Sequence, residues 1–206
     1  MALAMGVTCS LHRATASEVQ RLRADPDAVV GFLEGNGSAP QIREVRPKGV
    51  FGWLLRLTPI TITEVVPESE GGTPIDPPDP DRSIEIEKAW HGLHFLLTGL
   101  ADEGEEPACY FMRGGEDLDD EGVSRALGPD QVRRFSEYLS SLTVADLAQR
   151  FDPERMTTLK IYPSVIWNRA DPSESLLEWL TASFEEVRRF IAKAAAAGDG
   201  VVINIS

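Results

Sequence analysis

The most constraining feature of the chain lies at its C-terminal end. Leu176, Leu180, Phe184, Val187, Ile191 and Ala194 recur at spacings of three and four between Asp171-Pro172 and Gly198. That periodicity predicts one helix with a continuous buried stripe, opened by an N-cap followed by proline and closed by glycine. A helix of about 25 residues would be about 37 Å long, the width of a whole small domain. Val201-Val-Ile-Asn-Ile205 follows at once and reads as a strand of β-branched residues. A stripe that long needs a second layer to cover it, so a helix laid on a sheet is the expected arrangement.

The rest of the chain supplies parts for both layers. Val7, Cys9 and Leu11 alternate with Thr8, Ser10 and His12, the period-two pattern of a strand. Thr15-Ala-Ser-Glu18 is a capping box, predicting a helix that carries Val19 and Leu22. Asp25-Pro26 predicts a second short helix running to Gly35. A helix is expected from about Glu87 to Thr98, ended by Gly99, and another from Pro129 with Val132, Phe135, Leu139 and Leu142 on one face. Thr143 and Asp152-Pro153 begin two shorter ones. Ala108-Cys-Tyr-Phe-Met112 reads as a buried strand, and Glu185 with Arg189 as an exposed i,i+4 pair. Phe51, Trp53, Leu54, Leu55 and Leu57 need burial, but residues 36–63 give no clear assignment. Strands scattered among helices without regular alternation predict an α+β fold: several helices packed on a small mixed sheet, in a single compact domain with long acidic loops.

From Glu64 to Arg82 the composition changes. Pro67, Pro74, Pro77, Pro78 and Pro80 accompany Gly71-Gly72 and a series of carboxylates, which predicts an extended solvated loop at about 64–82. The first 63 residues carry too few apolar helical positions to fold alone, so the loop reads as an insertion within one domain. A second acidic region spans 102–121.

Charge narrows the partners. Twenty Lys and Arg face 33 Asp and Glu, a formal net charge of −13. Such a field repels phosphate backbones and anionic lipid, so neither nucleic acid nor a membrane surface is an expected partner. Cys9 and Cys109 form no C-x-x-C pair and read as buried, inert thiols of a reducing compartment. With no signal-peptide pattern and no apolar run of membrane-span length, a cytoplasmic location is expected.

The densest chemistry lies in Glu87-Lys-Ala-Trp-His-Gly-Leu-His-Phe-Leu-Leu-Thr-Gly99. At about 100° per residue, Glu87, His91, His94 and Thr98 share a stripe about 60° wide beside the apolar face of Trp90, Leu93 and Leu97. Two histidines with a carboxylate one turn earlier could form a general-base pair or hold a divalent metal. No third ligand and no H-E-x-x-H pattern accompany them, so a structural role for His94 is favoured and neither metal nor cofactor is expected. The run Glu116-Asp-Leu-Asp-Asp-Glu121 lacks the spacing of a calcium loop, and Arg125 is expected to pair with Asp119, Asp120 or Glu121. Gly35-Asn-Gly37 lacks the context of a dinucleotide fingerprint. Tyr162-Pro163 reads as a turn that packs its ring near Trp167.

The pattern Lys88-x-Trp90-x-x-Leu93-His94-Phe95-x-Leu97-Thr98-Gly99, with Ile161-Tyr162-Pro163-Ser164-Val165 downstream, resembles the YfbM-like family of bacterial proteins of unknown function. Met5-Gly-Val-Thr8 is similar to that family's Met-Gly opening, which puts Met1–Ala4 ahead of the family's start. Residues 36–82 look longer and richer in proline and acid than the family's connection. The resemblance implies a single YfbM-like α+β domain over residues 5–206. It supplies no activity and no catalytic residue to carry over.

Two functional expectations follow. The first is a binding protein whose acidic loops, at 64–82 and 102–121, dock a basic protein partner. The alternative is a small hydrolase or transferase using His94 with Glu87 or His91.

Overall fold

The computed structural model describes residues 6–33, 42–44, 63–65, 82–120, 122–168 and 173–206. Its central element is the C-terminal strand β7, Gly200–Ile205, with Gly200, Val201, Val202 and Ile203 all buried. On one side β7 pairs with β1, Cys9–Ala14, in a register that sets Cys9 opposite Ile205 and Ala14 opposite Gly200. On the other side it pairs with β6, Ser124–Leu127, where Arg125 faces Ile203. The sheet continues to β4, Ser83–Glu87, beyond β1 and to β5, Glu116–Asp117, beyond β6. All four pairings of this five-stranded sheet are antiparallel, where the sequence reading expected a mixed sheet. Each strand that follows another to a neighbouring place in the sheet, β4 after β1, β6 after β5 and β7 after β6, comes back in the reverse direction, so no parallel crossover is used.

The helices follow their sequence signals closely. α1, Ala16–Ala24, has the full capping box: Thr15 Oγ1 accepts from the Glu18 amide at 3.2 Å, and Glu18 Oε2 accepts from the Thr15 amide at 2.7 Å. α2 spans Ala28–Leu33, α3 Ala89–Thr98 and α4 Pro129–Ser140. α5, Val144–Arg150, begins at Thr143, and α6, Pro153–Thr158, begins at Asp152, whose carboxylate accepts from the Arg155 amide at 3.0 Å. α7, Ser173–Ala197, is the 25-residue helix that the stripe predicted.

α7 packs against α3, α4 and α5. Leu180, Phe184, Val187, Ile191 and Ala194 are buried there with Leu93, Phe135 and Leu139, and Val201 and Ile203 complete the core from the sheet. Val19 and Leu22 of α1 are buried outside that main cluster, with Val19 against Gly200.

Four local expectations change. Ala108–Met112 is a succession of helical turns, with Met112 and Arg113 both donating to the Cys109 carbonyl at 2.9 and 2.8 Å. A short apolar run fits either geometry, and here Cys109, Tyr110 and Phe111 are buried consecutively. Glu87 ends β4 with φ of 44° instead of opening α3. Glu185 pairs with Arg188 at 2.6 Å, while Arg189 donates to the Glu185 carbonyl. Tyr162 stacks on Trp90, with ring centroids 6.0 Å apart, and Trp167 instead donates to the Ile161 carbonyl at 2.7 Å.

The fold divides by contact density into two units, Met1–Val29 with Asp79–Ser206, and Val30–Pro78. In the second, Ile42–Glu44 (β2) pairs antiparallel with Thr63–Val65 (β3). The apolar cluster at 51–57 lies outside the described residues, as does the proline-rich loop apart from residues 64, 65 and 82 at its ends.

Candidate functional site

α3 is apolar almost all round, with eight of its ten residues buried. A helix of that composition belongs inside a fold, so its polar residues must find partners there. His94 is fully buried. Its Nε2 lies 3.0 Å from the Glu103 carbonyl and donates to it, while Nδ1 is buried without a hydrogen-bond partner among the described residues. Burial pushes the imidazole pKa down to about 4, against a smaller upward pull from the Glu103 carbonyl. The ring is therefore neutral at pH 7.

His91 is wired at both nitrogens. The Tyr162 amide donates to Nδ1 at 2.9 Å, which leaves the proton on Nε2, and Nε2 donates to the Ala101 carbonyl at 2.7 Å. Burial lowers its pKa, opposed by the Ala101 carbonyl and the Asp102 carboxylate. The ring stacks on Trp90 with centroids 4.9 Å apart and planes 8° from parallel. Between the two histidine contacts, Arg113 Nε donates to the Asp102 carbonyl at 2.9 Å. Three successive carbonyls, at 101, 102 and 103, are thus each held by a side chain from elsewhere.

Of the stripe inferred from the sequence, His91 and His94 do face one target, the backbone of residues 101–103. Glu87 does not share their helix, because it closes β4 two residues ahead of α3 and its side chain is exposed. Thr98 donates from Oγ1 to the His94 carbonyl at 2.8 Å. Among the described residues, no three His, Cys, Asp or Glu side chains are grouped so as to hold a metal ion.

The carboxylates around this braced loop differ in their engagement. Glu106 accepts from Tyr110 Oη at 2.8 Å and pairs with Arg134 at 3.2 Å. Asp102, Glu103 and Glu105 are exposed, and none forms an ion pair among the described residues. In the second acidic run, Glu116 pairs with Arg23 at 2.6 Å, Leu118 is buried, and Asp119 accepts from the amides of Val123 and Ser124 at 2.8 and 2.7 Å.

Arg125 departs from its expected pairing. It is 6% exposed, and its guanidinium donates to the carbonyls of Gly114, Tyr110 and Phe111 and not to Asp119 or Asp120, while Glu121 lies outside the described residues. No local signal marked this: Val123-Ser-Arg-Ala-Leu127 has no period-two alternation, and the burial of Arg125 comes from the strand's partners in the sheet. Cys9 is 1% exposed, and burial pushes its thiol up to about 12. Cys109 is buried too, its pKa raised by burial and then by Glu106.

The segments that carry the family resemblance come together at the start of α3. Trp90 Nε1 donates to the Val7 carbonyl at 3.4 Å, Tyr162 stacks on the same indole, and Lys88 reaches Gly6. Residues 5–204 match the family described as Domain of unknown function (DUF1877). The chain belongs to this family. Protein YfbM of Escherichia coli (strain K12) is a relative, 29% identical over 93 residues, which is 42% of this chain and 55% of that protein. The aligned part therefore spans about half of that relative's length. A crystal structure of YfbM from Escherichia coli, described as a protein of unknown function, superposes with a TM-score of 0.63 at 16% identity. It covers 97% of this chain and 99% of that one, and it supports the α+β fold of the family member described here.

Proposed function

We propose that this protein is a binding protein that docks a basic protein partner on the loop at 102–105. One observation carries the reading: the loop's backbone is clamped at Ala101, Asp102 and Glu103 by His91, Arg113 and His94, while the carboxylates of Asp102, Glu103 and Glu105 are exposed and unpaired among the described residues. A loop already fixed loses little conformational entropy when a partner binds. Acidic side chains on such a loop speed encounter with a positively charged surface, and their effect is screened by salt over a Debye length of about 10 Å at 0.1 M.

The enzyme reading, His94 with Glu87 or His91, has less support. Both His91 nitrogens are already committed to the backbone, and no His94 ring nitrogen is exposed. The net charge of −13 makes nucleic acid an unfavoured partner. Among the described residues no helix is long and apolar enough to cross a membrane. The sparse cysteines support placing the role in the cytoplasm.

The test uses two triple variants of equal charge change. Asp102→Asn/Glu103→Gln/Glu105→Gln should weaken binding of a Lys/Arg-rich peptide at least fivefold at low salt. Glu85→Gln/Glu154→Gln/Glu178→Gln, which neutralises three other exposed carboxylates, should leave it within twofold. Equal losses in both would reduce the effect to net charge and end the proposal, as would binding insensitive to salt.

A further inference from the structure

We infer that His91 is a proton-operated latch: neutral, it ties the turn at 162–165 to α3, and protonated, it releases that turn while keeping its hold on the loop at Ala101. Its two ring nitrogens have different partners. Nδ1 accepts from the Tyr162 amide at 2.9 Å, and Nε2 donates to the Ala101 carbonyl at 2.7 Å. A proton added to the ring goes to Nδ1, because Nε2 already carries one. The contact with Tyr162 then becomes an encounter of two N–H groups, whereas the contact with Ala101 becomes a charge-assisted hydrogen bond.

The surroundings decide which contact gives way. The Ala101 carbonyl and the Asp102 carboxylate both favour the charged ring. Trp90, stacked on it with centroids 4.9 Å apart, presents an aromatic face to a cation. Of the groups touching the ring, the Tyr162 amide is the one that needs it neutral, so that bond yields. The other titratable and charged groups nearby stand further off. His94, three residues on along α3, is buried and neutral at pH 7. Lys88, ahead of α3, reaches Gly6 on the phenol side of Tyr162. Arg113 donates to the Asp102 carbonyl, and Arg155 of α6 donates to the Gly99 carbonyl. α7 meets α3 through the apolar Leu180, at Gly92. Burial, the largest influence on the ring, lowers its pKa from 6.5, so the latch is closed at pH 7.

The turn can open without unfolding its flanks. Ile161 is fully buried, its amide donates to the Met156 carbonyl at 2.9 Å, and its carbonyl accepts from Trp167 Nε1 at 2.7 Å. Beyond it, Ser164 and Val165 are exposed. Among the described residues, the bond from Tyr162 to His91 is the one hydrogen bond between this turn and α3, and it is accompanied by the stacking of Tyr162 on Trp90. Opening takes up one proton, so the open population rises by up to about tenfold per pH unit below the ordinary histidine value.

The experiment follows ring-nitrogen and amide shifts, with amide hydrogen exchange, on the full chain between pH 7 and pH 5. No partner enters the measurement, so its outcome is separate from that of the docking proposal. The His91 Nδ1 and Tyr162 amide shifts should titrate with one midpoint, below 6.5. Protection of the Tyr162 amide, corrected for its intrinsic exchange rate, should fall at least fivefold from pH 7 to pH 5. Val202 in the central strand should stay better protected than Tyr162 throughout, which marks the opening as local. His91→Asn keeps an acceptor near the place of Nδ1 but no titrating group, and its Tyr162 protection should change less than twofold. His91→Gln keeps a donor near the place of Nε2 and no acceptor for Tyr162, so that amide should be unprotected at both pH values. The wild-type titration decides the matter even where a variant fails to fold. Separate midpoints for His91 and Tyr162, pH-independent protection of Tyr162, Val202 no better protected than Tyr162, or a full pH response in His91→Asn would overturn the inference.

Discussion

His94 makes a prediction whose size can be worked from the structure. Its pKa is pushed down from 6.5 to about 4 by burial, so the folded protein refuses a proton that the unfolded chain accepts. Stability must therefore fall as pH drops through 6.5 towards 4 and level off below, because the unfolded state binds more protons throughout that window. Linkage between those two values gives a loss of about 2 kcal/mol between pH 7 and pH 5, and about 3 kcal/mol once the folded state itself titrates. His91 and His12 are shifted in the same direction and add to the slope, as do carboxylates, so the wild-type curve alone does not isolate the residue. His94→Gln does, since glutamine can still donate to the Glu103 carbonyl but carries no titratable group. Urea unfolding of both proteins at pH 7 and pH 5 yields a difference of differences in which every shared titration cancels. The variant should be less stable at pH 7 and should lose about 2 kcal/mol less than wild type on moving to pH 5. Parallel pH dependences in the two proteins would refute the assignment of His94 as the buried neutral base.

Two further predictions follow from the fold. Arg125→Met should destabilise by about 3 kcal/mol in urea, because the carbonyls of Tyr110, Phe111 and Gly114 lose a charged donor together, and amides of residues 109–115 should exchange faster. A change under about 1 kcal/mol would show that the carbonyls find water instead. Residues 5–206 are proposed to unfold as one domain, so the thermal transitions read by tryptophan emission and by far-ultraviolet circular dichroism should coincide. Two separated transitions, or two stable pieces after limited proteolysis within the proline-rich stretch, would overturn that organisation.

What the sequence made legible was decided by how local the determining physics is. Thr15 and Glu18, Thr143, and Asp152-Pro153 set their helix starts through contacts three residues long, and each appears where its motif stands. The stripe from Leu176 to Ala194 announced α7 because burial along a helix repeats within the helix itself. β4 and β6 escaped the reading for different reasons: Ser83–Glu87 alternates Ile84 and Ile86 with polar residues but is short and borders the proline-rich stretch, whereas Ser124–Leu127 is buried on both faces and does not alternate. Their strand character comes from β1 and β7, which lie far away in sequence. The same limit applied to the site. The spacing of His91 and His94 was visible, but their partners are backbone carbonyls, which no residue type reveals, and the meeting of His91 with the Tyr162 amide is a product of the tertiary fold alone.

The choice of histidine at positions 91 and 94 bears on why the loop beside them is acidic. Holding the Ala101 and Glu103 carbonyls requires a donor on α3 that can be buried. A lysine there would carry its charge into the core at a cost of several kcal/mol or seek out the nearest carboxylate. It would then neutralise Asp102 or Glu103. A neutral imidazole donates without charge, so it fixes the backbone and leaves the carboxylates' field intact. Arg113 can serve the middle carbonyl because it does so from an exposed position, where its charge is hydrated and screened. Buried His94 and half-buried His91 are thus the arrangement by which an apolar helix can order an acidic loop without discharging it, and that ordering is what a docking surface for a basic partner requires.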